Sequence, residues 1–215
     1  MSAGRGERLD SADCRSLLTE LLSGPVLEVA PRLLGAVIRQ GEVAVRLVEV
    51  EAYDGLNDPG SHAFRGRTPR NEVMFGPPGH LYVYFTYGMH YCCNVVCGED
   101  GTASAVLLRA GEVITGRDLA RARRRGASDR DLARGPARLC EALGIDKAMN
   151  GVSLWQGPVL LEPPAVSVQR GQVSTGPRVG LRGAAERPWR FWLTGEPSVS
   201  AYRPAKARGP RPATR

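Results

Sequence analysis

The chain has 215 residues, of which 29 are Lys or Arg and 22 are Asp or Glu, so its net charge at pH 7 is +7. This length is enough for one domain with a hydrophobic core, and no stretch comes near the ~20 apolar residues that a membrane-spanning helix needs. We therefore expect no membrane partner. The excess of arginine favours a polyanionic partner, because guanidinium pairs with phosphate by charge and by geometry, but a basic enzyme without such a partner has the same composition.

The cysteines predict free thiols in a reducing compartment. Their number is odd, and three of them fall within one apolar segment (Cys14, Cys92, Cys93, Cys97 and Cys140). This arrangement is not typical of a disulfide framework. Cys93 and Cys97 are four residues apart, but no second Cys or His pair stands at metal-ligand spacing, so we expect no metal site. The free thiols and the lack of a membrane span favour a cytoplasmic location.

The first half of the chain predicts two short helices and a pair of strands. Ser11 is placed to cap a helix whose leucines recur at helical spacing, at Leu17, Leu18, Leu21 and Leu22. A second helix follows Pro25 and ends at Gly35, and residues 36–53 alternate as two strands joined by a tight turn. Residues 54–79 are rich in Gly, Pro, Asn and Arg, which predicts a long loop, and a loop of that length is usually functional.

The second half adds strands and a basic helical stretch. The strands are predicted at residues 81–87, 91–97, 103–110, 157–163 and 189–195. Residues 114–145 are helical with breaks at Gly126 and Gly135. The fold class is α/β (α+β), with mainly antiparallel strands in a single domain, residues 1–203, and a disordered basic tail, residues 204–215.

The segment EVEAYDGLNDPGSHAF, residues 49–64, contains candidate catalytic residues. Glu49 and Glu51 share one strand face near the end of that strand, and Tyr53 follows two residues on. With His62 after a flexible turn, these side chains are of the types that a catalytic site uses. The alternative is that both carboxylates lie on a solvated strand face and that the tyrosine and the histidine are ordinary loop residues.

The hairpin LYVYFTYGMHYCCNV, residues 81–95, holds four of the six tyrosines of the chain. In an extended strand Tyr82 and Tyr84 point to one face. A core position is a suitable explanation for Phe85. A core position is a poor explanation for Tyr87, because Tyr87 lies beside the glycine of the turn. A large aromatic side chain at a loop tip usually has a partner, and in a basic protein this partner can be a stack of bases.

Four motifs together resemble the alkyladenine (3-methyladenine) DNA glycosylase family, in order from about residue 26 to 200: VEVEAYDG, SHAFRGRTPRNEVMFGPPGHLYVYFTYGMHYCCNVV, VLLRA and LARGPARLCEALGI. The resemblance implies a curved antiparallel sheet with peripheral helices. It also implies an enzyme that removes alkylated or deaminated purines from double-stranded DNA by hydrolysing the N-glycosidic bond, after the nucleotide has rotated out of the duplex.

The resemblance assigns roles to the base-binding residues. Tyr87 matches the residue that fills the gap left by the flipped base, and Met89 lies beside it on the DNA face. The positions that sandwich the extruded purine are Tyr53, His62 and Tyr84, and electron-rich rings favour a cationic base there. Asn94 corresponds to the position that crowds the exocyclic amino group of guanine.

The resemblance also assigns the chemistry. Glu51 matches the general base that activates water, and Arg109 resembles the partner that orients this water and the carboxylate. A backbone carbonyl near Val179 completes the cradle of the water. The only lysines are Lys147 and Lys206, and neither lies in a matching motif. We therefore expect a monofunctional enzyme that uses no Schiff base and no metal or organic cofactor.

Five arginines are candidates for contact with DNA phosphates, namely Arg65, Arg67, Arg70, Arg138 and Arg178. For each of them the alternative is a solvated surface. The partner is expected to be double-stranded DNA with damaged purines, bound by a monomer associated with the nucleoid. Two other classes stay open: a non-catalytic protein that binds damaged DNA, which would not need Glu51, and an RNA-directed or nucleoside hydrolase, which would not need a wedge at Tyr87.

Overall fold

The computed structural model describes residues 11–86 and 88–205. Along the chain the helices and strands are α1 (Ser11–Leu22), α2 (Val26–Arg32), β1 (Val37–Gln40), β2 (Val43–Tyr53), β3 (Leu81–Thr86), β4 (His90–Val96), β5 (Ala105–Thr115), α3 (Arg117–Arg123), α4 (Pro136–Leu143), β6 (Val159–Glu162), β7 (Val173–Gly176) and β8 (Arg190–Leu193). The predicted α/β class is therefore confirmed.

The eight strands found in the described part of the chain form one open sheet. The order along the sheet is β3-β4-β5-β2-β1-β6, while β8 pairs with β2 and β7 pairs with β8. Every pairing among these strands is antiparallel. Among the described residues, four of the seven pairings join strands that follow one another in the chain, namely β1–β2, β3–β4, β4–β5 and β7–β8, and local turns can specify such pairings. The other three pairings, β2 with β5, β1 with β6 and β2 with β8, join strands that are distant in the chain.

The central strand β2 is irregular where it carries the candidate carboxylates. Its pairing with β5 shifts register between Leu47 and Glu49, and again between Glu49 and Val50. Bulges of this kind bend a strand and redirect its side chains, and they are common beside active sites. Gly111 on β5 permits the close approach of β5 to β2, because a Cβ atom at this position would collide with the side chain of Val45 on β2.

The core lies between the sheet and the helices. Leu18 and Leu22 of α1, Leu33 after α2 and Leu139 of α4 are fully buried against the inner residues of the strands. Burying each such side chain contributes roughly 1.5 to 3 kcal/mol. The helices thus cover one face of the sheet, while the irregular part of β2 faces the long connections on the other.

Several predicted boundaries differ from the structure. The segment 54–79 contains two short 3₁₀ helices, at Gly55–Asn57 and Glu72–Phe75. Strand β5 continues to Thr115, and β7 was not predicted, because its four residues VSTG are too polar and too few to show a period. The end of the domain at residue 203 stays a prediction, and the tail from residue 206 lies outside the described residues. Within residues 11–86 and 88–205, no helix has the length and hydropathy to cross a membrane.

Candidate active site

Glu51 lies near the end of β2 with its side chain fully buried, yet it lines a cavity of about 320 Å³. The backbone N–H of Val179 donates to Glu51 Oε1 at 2.7 Å, and the hydroxyl of Tyr53 donates to Oε2 at 2.9 Å. Burial raises the pKa of the Glu51 carboxyl, and Arg109 with the two hydrogen bonds offsets part of that rise. Since each carboxylate oxygen has a second lone pair, the group can still accept a proton from water.

Arg109 of β5 lies between two buried carboxylates. Its Nη1 is 3.5 Å from Glu51 Oε1, and its Nε is 2.9 Å from Glu49 Oε1. The Nε–H does not point at the Glu49 oxygen well enough to form a hydrogen bond. Arg109 is therefore held by charge, and it also lines the cavity beside Glu51.

Aromatic side chains form the walls of the cavity. The His62 ring centroid lies 4.6 Å from that of Tyr84, and the two rings are nearly perpendicular. The ring of Tyr82 packs 5.6 Å from that of Tyr84, and its hydroxyl lies 3.1 Å from His62 Nδ1. Tyr53 is the fourth aromatic residue of the lining.

These aromatic side chains are uncharged near neutral pH. Burial raises the pKa of Tyr53 and of Tyr84 well above 10, so both remain phenols. His62 is exposed in part, and the burial of its ring, followed by the charge of Arg70, lowers its pKa. Uncharged rings present electron-rich faces to whatever enters the cavity.

The predicted substrate and catalytic residues share this one cavity. Its lining comprises Glu51, Tyr53, Gly60, His62, Met74, Tyr82, Tyr84, Thr86, Cys92, Asn94, Leu107, Arg109, Pro136, Val179, Gly180 and Leu181. The buried amide of Asn94 donates from Nδ2 to the carbonyl oxygen of Tyr82 at 3.1 Å. Val179 contacts Glu51 through its backbone N–H, and the role of a backbone carbonyl near Val179 as a partner of the water stays a prediction.

Arg178 requires a correction. It was expected to contact phosphate, but its side chain is buried, which excludes contact with DNA. Its guanidinium forms a bidentate ion pair with the buried Asp58 and donates to the carbonyl oxygen of Ala52 at 2.9 Å. The guanidinium carbon lies 4.7 Å from the centroid of the Tyr53 ring. Arg178 therefore supports the cavity from behind.

The other predicted DNA contacts are exposed. Arg65, Arg67, Arg70 and Arg138 lie on the surface, and Met89 in the β3–β4 turn has 68% of its area exposed. The guanidinium of Arg70 lies 5.9 Å from the centroid of the Tyr84 ring, which places this arginine beside the cavity. Tyr87 lies outside the described residues.

A second cavity of about 280 Å³ adjoins the first and shares Arg109, Pro136 and Val179 with it. It is lined by three further arginines, Arg134, Arg138 and Arg203. No sequence signal singles out Arg134 or Arg203, because arginines are frequent throughout this chain. Among the described residues, no group of three His, Cys, Asp or Glu side chains is arranged to hold a metal ion.

A profile of the methylpurine-DNA glycosylase family matches residues 20–197. The chain belongs to this family. The resemblance that the motifs indicated is thereby confirmed, and membership assigns the protein to the hydrolases that act on N-glycosidic bonds in DNA.

Similar proteins from several bacteria carry the name "Putative 3-methyladenine DNA glycosylase". The protein of Streptomyces avermitilis is 54% identical over 199 residues, which cover 89% of this chain and 93% of the relative. The protein of Frankia casuarinae is 55% identical over 194 residues, which cover 85% of this chain and 91% of the relative. The protein of Leifsonia xyli is 57% identical over 190 residues, which cover 82% of this chain and 88% of the relative. The chain therefore matches members of the methylpurine-DNA glycosylase family over nearly their whole length.

Proposed function

We propose that this protein excises alkylated or deaminated purines, 3-methyladenine among them, from double-stranded DNA by hydrolysing the N-glycosidic bond. The observation that carries the proposal is the buried, oriented carboxylate of Glu51 at a cavity with aromatic walls. A volume of about 320 Å³ is at the lower end for ligand cavities, which suits a single base rather than a base pair. The nucleotide must therefore leave the helix before it can enter.

The walls explain a preference for damaged purines. Tyr53, His62 and Tyr84 present uncharged aromatic rings to the cavity. Methylation at N3 or N7 gives the purine a positive charge, and a cation close to an aromatic face gains about 0.5 to 2 kcal/mol. Asn94, buried at the same cavity, limits the space for an exocyclic amino group.

Glu51 then acts as the general base. Its carboxylate takes a proton from a water molecule while the water oxygen forms a bond to C1′ of the sugar, and the electron pair of the C1′–N bond leaves with the purine. The sugar passes through an oxocarbenium-like state, which the negative carboxylate stabilises. The raised pKa of Glu51 makes it a stronger base than an ordinary glutamate, and Arg109 helps to orient the carboxylate and the water.

The reaction ends with an abasic site. An enzyme that also cleaves the backbone needs an amine to form a Schiff base. No lysine is present in the lining of the cavity as far as the described residues go, and Lys147 lies exposed elsewhere. We therefore propose a monofunctional enzyme in which water is the nucleophile.

The test uses duplexes that each carry one lesion, either 3-methyladenine, 7-methylguanine, ethenoadenine or hypoxanthine. The protein should release the base from at least one duplex, and the strand should break at that site only after treatment with alkali. Strand cleavage without alkali, or a borohydride-trapped adduct, would contradict monofunctional hydrolysis. Binding without release of any base would favour the damage-binding alternative. Release from RNA or from free nucleosides alone would favour the other hydrolase class.

A further inference from the structure

Glu49 is a second buried carboxylate that the proposed reaction does not use. It lies two residues before Glu51 on β2, and none of its surface is exposed. A buried ionised carboxylate is costly unless several donors compensate for the loss of water. Its partners therefore indicate what the structure gains by keeping it.

The carboxylate of Glu49 receives three hydrogen bonds from distant parts of the chain. Arg190 Nε donates to Oε1 at 2.6 Å. The backbone N–H of Ser200 donates to Oε2 at 2.7 Å, and the Ser200 hydroxyl donates to Oε1 at 2.9 Å. These three hydrogen bonds fix the position of the Glu49 carboxylate relative to the sheet.

Arg109 connects this anion to the catalytic one. Its Nε is 2.9 Å from Glu49, whereas its closest nitrogen to Glu51 is 3.5 Å away. The nearer carboxylate, Glu49, thus holds the inner end of the guanidinium, at Nε. The outer end, at Nη1, lies at the longer distance from Glu51, and Arg109 lines the cavity.

We propose that Glu49 is a positioning residue, which holds Arg109 off Glu51 and so keeps Glu51 available as the base. This inference rests on the proposed function. Without the negative charge of Glu49, Arg109 is free to close on Glu51 as a bidentate pair. Glu51 would then be a weaker base, and the guanidinium would no longer face the substrate.

The expected pH effect depends on every group that faces Glu51. The phenol and thiol neighbours on β2, β3 and β4 stay neutral, because burial raises the pKa of Cys92 to about 11 and raises the pKa of Tyr53 and Tyr84 well above 10. Arg178 contacts Tyr53, but its charge is balanced by Asp58. Among the described residues, the charged side chains that remain around Glu51 are Glu49, Arg109 of β5 and Arg190 of β8.

The test is the pH profile of single-turnover excision by Glu49→Gln on a duplex with ethenoadenine or hypoxanthine. Excision requires ionised Glu51, so the rate falls on the acid side as Glu51 takes up a proton. Removing the negative neighbour lowers the pKa of Glu51, so this acid limb should move to lower pH by roughly 0.5 to 1 unit. The plateau rate should fall ~10-fold, because Arg109 is misplaced.

The matched control is Glu112→Gln. Glu112 lies on β5, half exposed, and pairs with Arg46 away from the cavity, so the same substitution there should change neither the plateau nor the acid limb. A Glu49→Gln profile that coincides with that of the wild type would overturn the inference. So would a lower plateau with an unmoved acid limb, since that result indicates structural support alone.

Arg190→Gln provides a second variant that keeps the inference testable if Glu49→Gln does not fold. It removes the cation that neutralises Glu49, so the acid limb should move to higher pH, opposite to the first variant. An unmoved limb or a shift to lower pH would overturn the inference. Failure of the proposed function is distinguishable, because the wild type would then release no base at all.

Discussion

The charged residues buried beneath the cavity, called the floor here, differ from the exposed charged residues of the rim: the former are ion-paired, and among the described residues the latter are not. At the floor, Glu49, Glu51 and Arg178 are fully buried, and every one of them is bonded to a named partner. The rim is the name used here for the exposed residues expected to contact DNA, Arg65, Arg67, Arg70 and Met89. Its three arginines are exposed, and within the described residues none of them is ion-paired with a carboxylate.

The difference follows from what each region has to do. Chemistry at a sugar requires a carboxylate in one orientation, which a bulged strand and buried donors provide. Contact with a phosphate backbone requires charge that is accessible and adaptable, and exposed loops supply it. The floor should therefore be sensitive to the loss of a single partner, whereas the rim should respond weakly and additively.

The largest effect on stability is expected from Arg178→Met. Removing one member of a buried ion pair leaves Asp58 charged and uncompensated, which costs about 3 to 5 kcal/mol. For a chain of this size, thermal unfolding should show a fall in Tm of roughly 6 to 20 °C. The control is Asp129→Asn, which breaks the exposed pair with Arg121 and should leave Tm nearly unchanged. Equal shifts for the two variants would remove the distinction between the regions.

A smaller effect, on the rate rather than on stability, is expected from Tyr87→Ala. If Tyr87 fills the gap left by the flipped base, the substitution should slow single-turnover excision from a duplex by ~10-fold, because restacking of the base is no longer opposed. The same lesion in a single strand leaves no gap, so its excision rate should not change. A duplex rate equal to that of the wild type would contradict the wedge.

Many features of the fold could be predicted, because they depend on residues close together in the chain. The turn around Gly41 defines the β1–β2 hairpin, and the tyrosine alternation defines β3. The ion-pair partners of the buried residues at the floor could not be predicted in this way, because they are distant in the chain. Glu49 binds Arg190, 141 residues away, and Arg178 binds Asp58, 120 residues away. No local pattern distinguishes such a buried arginine from the exposed ones.

The smallest effects are expected at the rim. Arg65→Ala and Arg67→Ala should each weaken DNA binding only a few-fold. If each contacts one phosphate, each substitution should reduce the slope of log K against log salt by roughly 0.9. Arg121→Ala is the matched control, because Arg121 is exposed on α3 and pairs with Asp118 and Asp129 instead. An unchanged slope for both rim variants would show that these arginines do not contact phosphate.

The pH dependence of single-turnover excision by the wild type and by Glu51→Gln tests the central claim most directly. Because burial raises the pKa of Glu51, the wild-type rate should fall on the acid side with a midpoint above 4.5, the ordinary value for glutamate. Glu51→Gln should bind lesion DNA as tightly as the wild type, excise roughly 10² to 10⁴-fold more slowly, and show no such acid limb. Excision by Glu51→Gln at the wild-type rate, with the same acid limb, would contradict the account.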